Sequence, residues 1–270
     1  MKKVKVLVLW GYGINCEEET KYVFEKLGAF AEIVHLSEII TGEKRLVNYH
    51  ILCFPGGFLD GDHLGSAQAC AHRFKYLKIL GRISLWDELM TFLNQGGLIL
   101  GICNGFQLLV KMGILPGGKY LGQRKVTLTY NDSGKFENRW VTLKVNPKTT
   151  CVFLKGLDEL YLPVRHGEGK FIAENETILK ELEDLGQIAL QYIHPETKEI
   201  TYIYPYNPNG SQMAIAGLCD PSGRIFGLMP HPEAFNDLTN HPRWTRLSHL
   251  KAQGLLIFEN GINWIKNNVL

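Results

Sequence analysis

The sequence predicts a doubly wound α/β fold, built on a mixed sheet with antiparallel additions. Short apolar runs with the composition of strands buried on both faces end at glycines or at predicted helix starts. Segments with apolar residues at helical spacing separate these runs, as in chains that connect parallel strands through helices. After about residue 120, apolar and polar residues alternate instead, which indicates half-buried antiparallel strands.

The amino-terminal part of the chain predicts one strand–helix–strand unit. Val4–Trp10 is almost entirely apolar and is followed by two glycines. Glu17–Leu27 has acids in its first turn and apolar residues at helical spacing, and Gly28 stops it. Ala31–Leu36 is then the second strand of the unit.

The pattern recurs further along the chain. Ile51–Phe54 is a short apolar strand that ends in Pro55-Gly56-Gly57, Ser84–Asn94 is an amphipathic helix, and Leu98–Ile102 is another apolar strand. Later segments predict two single strands, two hairpins and a closing helix: Lys125–Tyr130; Trp140–Val145; Gln187–Ile193 with Glu199–Ile203; Met213–Leu218 with Arg224–Met229; and Leu255–Ile265. Because there is no repeat and no Pro/Ser-rich linker, residues 1–270 are predicted to form a single domain.

Composition and charge narrow the functional classes. The 270 residues are 45% hydrophobic and 21% charged with a net charge of +2, which gives no general reason to bind nucleic acid or a membrane surface. The six cysteines are scattered, without a C-x-x-C pair or histidines at zinc spacing, so we expect neither a disulfide framework nor a metal site. The sequence shows neither a signal-peptide pattern nor an apolar run of membrane-spanning length. We therefore expect a cytoplasmic protein.

The strongest local signal is G-I-C-N-G at residues 101–105, which places Cys103 on the turn between a buried strand and a helix that begins at Asn104. The flanking glycines are expected to let the backbone bend and a substrate approach. The helix amino terminus stabilises negative charge, and the N–H of Asn104 can donate to an oxyanion. Of the six cysteines, only Cys103 is predicted to lie at a helix amino terminus beside a base. The alternative is a buried structural cysteine.

A candidate base follows the apolar strand that ends near Leu228, in M-P-H-P-E at residues 229–233. Glu233 is two residues from His231, so its carboxylate can orient the imidazole that takes the thiol proton. Ligands bind beyond the carboxyl ends of strands in open α/β sheets, which favours this role over that of a loop histidine. The N–H of Gly57, at the end of another predicted strand, is the candidate for a second oxyanion donor, although a simple turn explains the glycines equally well.

Four segments occur in the order found in class I glutamine amidotransferases: P-G-G-F at 55–58, followed by Gly61-Asp62; G-I-C-N-G-F-Q at 101–107; H-G-E-G at 166–169; and G-L-M-P-H-P-E at 227–233. The set resembles this family and, within it, the glutaminase subunits of phosphoribosylformylglycinamidine synthases. The resemblance implies a flavodoxin-like fold, with the nucleophile, base and carboxylate named above. It also implies that Gln107 neighbours the bound glutamine and that His166 and Gly167 edge its pocket.

The reaction implied by the resemblance is divided between subunits. This chain would hydrolyse glutamine to glutamate and ammonia, and a synthetase subunit would use the ammonia and ATP to convert formylglycinamide ribonucleotide, with or without a small accessory subunit. No G-x-x-x-x-G-K-[ST] motif is present. We therefore expect no cofactor in this chain, and ATP and Mg on the partner.

Three other hypotheses about the function are compatible with the sequence. The first is another class I glutamine amidotransferase. The second is a γ-glutamyl hydrolase or cysteine peptidase, which would use the same cysteine turn with a different substrate. A non-catalytic α/β binding module would keep the fold with a vestigial Cys103. The presence of both His231 and Glu233 argues against the last hypothesis.

Overall fold

The computed structural model describes residues 2–247 and 251–270, and within them seven α-helices and thirteen strands. The helices are α1 (Glu17–Lys26), α2 (Leu36–Ile40), α3 (Gln68–Tyr76), α4 (Leu85–Asn94), α5 (Asn104–Met112), α6 (Glu176–Asp184) and α7 (Gly254–Asn268). The strands are β1 (Lys5–Trp10), β2 (Phe30–His35), β3 (Ile51–Phe54), β4 (Lys78–Ile79), β5 (Ile83–Ser84), β6 (Leu98–Ile102), β7 (Val126–Thr129), β8 (Glu137–Val145), β9 (Glu159–His166), β10 (Lys170–Ala173), β11 (Ile188–Tyr192), β12 (Ile215–Cys219) and β13 (Ile225–Leu228).

A nine-stranded mixed sheet organises the fold, in the order β2-β1-β3-β6-β13-β12-β11-β8-β9. The strands from β2 to β13 in this order pair in parallel, and the pairs from β13 to β9 are antiparallel. The predicted doubly wound sheet with antiparallel additions is therefore confirmed. Two small sheets, β10 with β7 and β4 with β5, lie outside it.

Two of the later segments differ from the prediction. The strand predicted at 125–130 forms β7, but it pairs with β10 outside the main sheet. The predicted hairpin between Gln187–Ile193 and Glu199–Ile203 is wrong, because the second segment contributes only a single bridge, from Ile200 to Ile193. In the sheet, β11 already has β8 on one side and β12 on the other, so no edge is left for a further strand.

Close packing of α5 on the parallel strands fixes the centre of the molecule. All nine residues of α5 are buried, as are all residues of β3, β6 and β13. A Cβ at Gly105, in the first turn of α5, would lie 1.9 Å from the carbonyl oxygen of Phe54. A Cβ at Gly227 of β13 would lie 2.1 Å from the ring of Phe106. The helix can approach the strands this closely only because both positions are glycine.

None of the helices in the described ranges combines the length and apolar character needed to cross a membrane.

Substituting Gly105→Ala tests this packing. The added methyl group meets a strand backbone rather than a movable side chain, so we expect the free energy of unfolding to fall by about 1–3 kcal/mol or more. Gly167→Ala is the matched control, because the nearest atom to its Cβ would be 4.0 Å away. Urea unfolding of both variants checks the prediction, which fails if the two lose equal stability.

Candidate active site

Three neighbouring parallel strands end at the same edge of the sheet and bring the candidate groups together. Gly57 follows β3, Cys103 follows β6, and His231 follows β13; β6 pairs with both of the other strands. All three residues line one cavity of about 240 Å³. This is smaller than the roughly 300–1,000 Å³ of pockets for drug-sized ligands, and it suits a small metabolite.

Cys103 itself carries the backbone strain of the turn, with φ 51° and ψ −101°. Residues other than glycine pay about 1–3 kcal/mol in such sparsely populated conformations, which cluster at functional sites. The N–H of Cys103 donates to the oxygen of Leu228 at 2.7 Å, which ties the turn to β13. Gly101 and Gly105 have no positive φ. The reason expected for these two glycines is therefore wrong in part: they permit close packing rather than an unusual bend.

His231 and Glu233 form a fully buried pair. Nδ1 of His231 lies 2.5 Å from Oε1 of Glu233, and the two side chains are 3% and 0% exposed. Burial opposes the charged imidazole, but the negative charge of Glu233, together with the neighbouring sulfur of Cys103, raises the pKa of His231 well above its ordinary value. Nε2 of His231 is buried and has no hydrogen-bond partner among the described residues. The imidazole is thus oriented at one nitrogen and free at the other.

Two unpaired backbone donors lie beside Cys103. Neither the N–H of Gly57 nor that of Asn104 donates a hydrogen bond within residues 2–247 and 251–270. Gly57 has φ 151°, and a Cβ there would lie 2.6 Å from the oxygen of Gly13, so this position requires glycine. The N–H of Asn104 is at the amino terminus of the nine-residue helix α5, where the helix dipole favours negative charge. Both placements suit an oxyanion formed at Cys103.

A second cysteine lies beside the histidine, which the sequence did not indicate. Cys16 precedes the first residue of α1, and atoms of Cys16, His231 and Glu233 lie within 4.8 Å of one another. The expectation that Cys103 alone combines a helix amino terminus with a neighbouring base is therefore wrong. Burial raises the pKa of the Cys16 thiol to about 11. This trio has donor types that bind metals, but Nδ1 of the histidine is already hydrogen-bonded to Glu233.

One face of α5 holds the loops around the cavity. Asn104, Gln107 and Lys111 follow one another at helical spacing and are all buried. Oδ1 of Asn104 accepts from the N–H of Leu59 at 3.0 Å, and Nε2 of Gln107 donates to the oxygen of Glu168 at 2.6 Å. Oε1 of Gln107 accepts from Asn104 at 2.9 Å. Both ends of the Gln107 amide are thus occupied by protein groups, and its contact with glutamine stays a prediction.

The H-G-E-G segment at 166–169 is also held by Asn131, which lies outside α5. Asn131 donates from Nδ2 to the oxygen of His166 at 2.8 Å and accepts at Oδ1 from the N–H of Gly169 at 2.9 Å, while its own N–H donates to the oxygen of Gly167 at 2.9 Å. His166 is 2% exposed, and burial together with the charge of His231 lowers its pKa to about 3. His166 therefore stays neutral near neutral pH, which leaves His231 as the titrating base of the cavity.

Two charged residues and two phenylalanines also line the cavity, together with Asn15. Sequence reasoning did not select any of them as a binding group. Glu19 projects from α1 and Arg165 from β9. Phe58 and Phe136 are 44% and 54% exposed, and their ring centroids are 6.4 Å apart. The strand that carries Arg165 was not predicted, although Arg165 directly precedes the H-G-E-G segment that was expected to edge the glutamine pocket.

Comparisons with known proteins identify the family of the chain. The family model described as the CobB/CobQ-like glutamine amidotransferase domain matches residues 3–265. The chain belongs to this family of glutamine amidotransferases.

Relatives of this amidotransferase are similar along nearly its whole length. Phosphoribosylformylglycinamidine synthase subunit PurQ from Dehalococcoides mccartyi is 47% identical, with 98% of this chain and 99% of that protein covered. The same subunit from Methanococcus maripaludis strain C7 is 44% identical, over 98% of this chain and 96% of the relative. A chain of the solved PurLQS structure from Thermotoga maritima superposes with a TM-score of 0.72 and 26% identity, covering 98% of this chain and 100% of that one.

Alkylation by an electrophilic glutamine analogue distinguishes the two cysteines of the cavity. We expect Cys103 to be modified in preference to Cys16, because the raised pKa keeps the Cys16 thiol protonated near neutral pH. Peptide mass spectrometry identifies the modified residue. The Cys16→Ala variant should still be labelled at Cys103; modification mainly at Cys16, or spread over all six cysteines, would contradict the assignment.

Proposed function

We propose that the chain is the glutaminase subunit of a phosphoribosylformylglycinamidine synthase. It hydrolyses glutamine and supplies the ammonia to an ATP-dependent synthetase subunit, which converts formylglycinamide ribonucleotide to formylglycinamidine ribonucleotide. The full-length similarity to PurQ subunits supports this choice within the family. The observation that carries the chemistry is the buried imidazole of His231, paired at Nδ1 with Glu233 and unpaired at Nε2, in one cavity with Cys103.

In the first half of the proposed reaction, Nε2 of His231 takes the proton of the Cys103 thiol, and the sulfur attacks the side-chain amide carbon of glutamine. The carbonyl oxygen becomes an oxyanion, which the N–H groups of Gly57 and Asn104 stabilise. The imidazolium of His231 then returns its proton to the amide nitrogen. The C–N bond breaks, ammonia leaves, and a glutamyl thioester remains on the cysteine.

Water completes the cycle. His231 removes a proton from a water molecule that attacks the thioester carbon, and the same backbone donors stabilise the second oxyanion. Collapse of this intermediate breaks the C–S bond, releases glutamate and returns the proton to Cys103. Glu233 keeps Nδ1 protonated throughout and stabilises the imidazolium, so it orients the base without transferring the proton itself.

We place no cofactor in this chain and assign ATP and Mg to the synthetase partner. A small accessory subunit in the complex is part of the same proposal. We also place this chain in the cytoplasm, because all six of its cysteines are free, which fits a reducing environment.

Three substitutions separate the roles in the cavity. Cys103→Ala should abolish glutamine hydrolysis while leaving the protein folded, because it removes only the attacking atom. His231→Asn should lower kcat by roughly 10²–10⁴-fold, the usual contribution of a general base. Glu233→Gln should lose less activity, because it retains the imidazole. Ammonia release by each variant, with circular dichroism as the folding control, tests the order. Substantial activity in Cys103→Ala would exclude the mechanism.

Docking of the synthetase is proposed to control turnover. The mouth of the cavity carries the exposed rings of Phe58 and Phe136, and Phe58 directly follows the oxyanion glycines. A partner that covers this mouth would exclude water and fix the loop of Gly56 and Gly57, which raises transition-state binding selectively.

We therefore expect weak glutaminase activity from the isolated chain and a rise mainly in kcat on docking. Ammonia release is measured with the chain alone, and then with the synthetase subunit, ATP and formylglycinamide ribonucleotide. A high rate that does not change on mixing would contradict the coupled function and would favour an independent amidase.

A further inference from the structure

Two opposite charges without ion-pair partners line the cavity that contains Cys103 and His231. Glu19 enters it from α1 and Arg165 from β9. No salt bridge within 4.0 Å involves either side chain among the described residues. The catalytic steps above use neither of them, and a pair of opposite charges beside a reactive thiol calls for an explanation.

Both residues line the cavity that contains the reacting atoms, and contacts in their immediate neighbourhood reach those atoms. Sγ of Cys103 is 3.5 Å from the backbone oxygen of Arg165. The backbone of Arg165 therefore contacts the nucleophile directly. Glu19 is one helical turn beyond Cys16, whose sulfur is within 4.8 Å of atoms of His231 and Glu233. The two charges therefore approach the same small cavity from different elements of the fold.

The environment of Glu19 favours a positively charged ligand. Burial, followed by the negative charge of Glu233, raises the pKa of Glu19, and the charge of Arg165 lowers it only in part. A half-buried carboxylate near a second carboxylate gains from a cation that binds beside it. Arg165, in contrast, offers a planar fork of donors that fits a carboxylate through two hydrogen bonds.

We infer that Glu19 binds the α-ammonium group and Arg165 the α-carboxylate of glutamine, so that the cavity selects the free amino acid. The inference rests on the proposed glutaminase function. In glutamine, two methylene groups separate the side-chain amide carbon from the carbon that carries both charges. With the amide carbon at Cys103, we place the charged end beside Glu19 and Arg165, which line the same cavity.

A structural role for Glu19 is the competing explanation. Glu17, Glu18 and Glu19 all lie in the first turn of α1, where acids stabilise a helix through its dipole. Glu18 is exposed and shares this position. Glu18→Gln therefore changes the helix dipole interaction as Glu19→Gln does, but it leaves the cavity unchanged. Exposed Arg82 provides the corresponding control for Arg165.

The experiment compares three amides in Glu19→Gln, Arg165→Gln and the two controls, with the synthetase subunit present. Glutamine carries both charges, glutaramate lacks the ammonium group, and 4-aminobutanamide lacks the carboxylate. Ammonia release gives kcat/KM for each amide. Where an analogue turns over too slowly to measure, the inhibition constant with which it competes against glutamine is compared instead of kcat/KM.

Each variant should lose activity only toward amides that carry the matching charge. We expect Glu19→Gln to lose roughly 10- to 100-fold in kcat/KM for glutamine and 4-aminobutanamide, mainly through KM, and nothing for glutaramate. Arg165→Gln should lose a similar factor for glutamine and glutaramate, and nothing for 4-aminobutanamide. Arg165→Lys should restore part of the loss, because it keeps the charge without the fork of donors.

Uniform losses across all three amides, or no loss at all, would overturn the inference while the wild-type protein still hydrolyses glutamine. A wild-type protein that releases no ammonia from glutamine, even with its partner, would instead overturn the proposed function. The controls Glu18→Gln and Arg82→Gln should match the wild type with every amide; a loss in Glu18→Gln equal to that in Glu19→Gln would assign the effect to the helix and contradict the inference.

Discussion

The seating of α5 on β3 and β6 is the constraint on which the rest of the structure depends. The helix approaches these strands so closely that a Cβ at Gly105 would lie 1.9 Å from the oxygen of Phe54. The chain must therefore turn sharply between β6 and α5, and Cys103 takes the strained conformation that results. Parallel pairing of β13 with β6 then brings His231 to the same edge of the sheet. Backbone packing, rather than contacts between the catalytic side chains, sets the distance between thiol and imidazole.

The same helix joins the catalytic turn to the loops that would contact substrate. Asn104 holds the loop after Gly57 through Leu59, and Gln107 holds the H-G-E-G segment through the backbone of Glu168. Because these groups are buried, a lost partner would leave an unsatisfied polar group and cost about 1–3 kcal/mol. A preorganised cavity follows from this network, since the oxyanion donors and the nucleophile share one rigid support.

Features that depend on residues close together in the chain could be predicted from the sequence. The glycine-flanked Cys103 and the His231–Glu233 spacing are local patterns, and their strands end at one edge because parallel sheets have that geometry. Sequence reasoning missed what depends on distant elements. Arg165 belongs to β9, which pairs with β8 at the far end of the sheet yet returns beside Cys103. Cys16 is far from His231 in the sequence and becomes its neighbour in the folded chain. The segment Glu199–Ile203 has strand composition but finds no free edge.

The measurement that tests the central claim most directly is the capture of the glutamyl thioester. The protein is mixed with glutamine and its synthetase partner, quenched rapidly in acid, digested and analysed by mass spectrometry; a parallel sample contains hydroxylamine, which converts the thioester to γ-glutamyl hydroxamate. The account predicts a glutamyl group on the peptide that contains Cys103, lost in the presence of hydroxylamine and absent from the Cys103→Ala variant. A glutamyl group on Cys16, or hydrolysis that continues with no covalent intermediate on any cysteine, would contradict it.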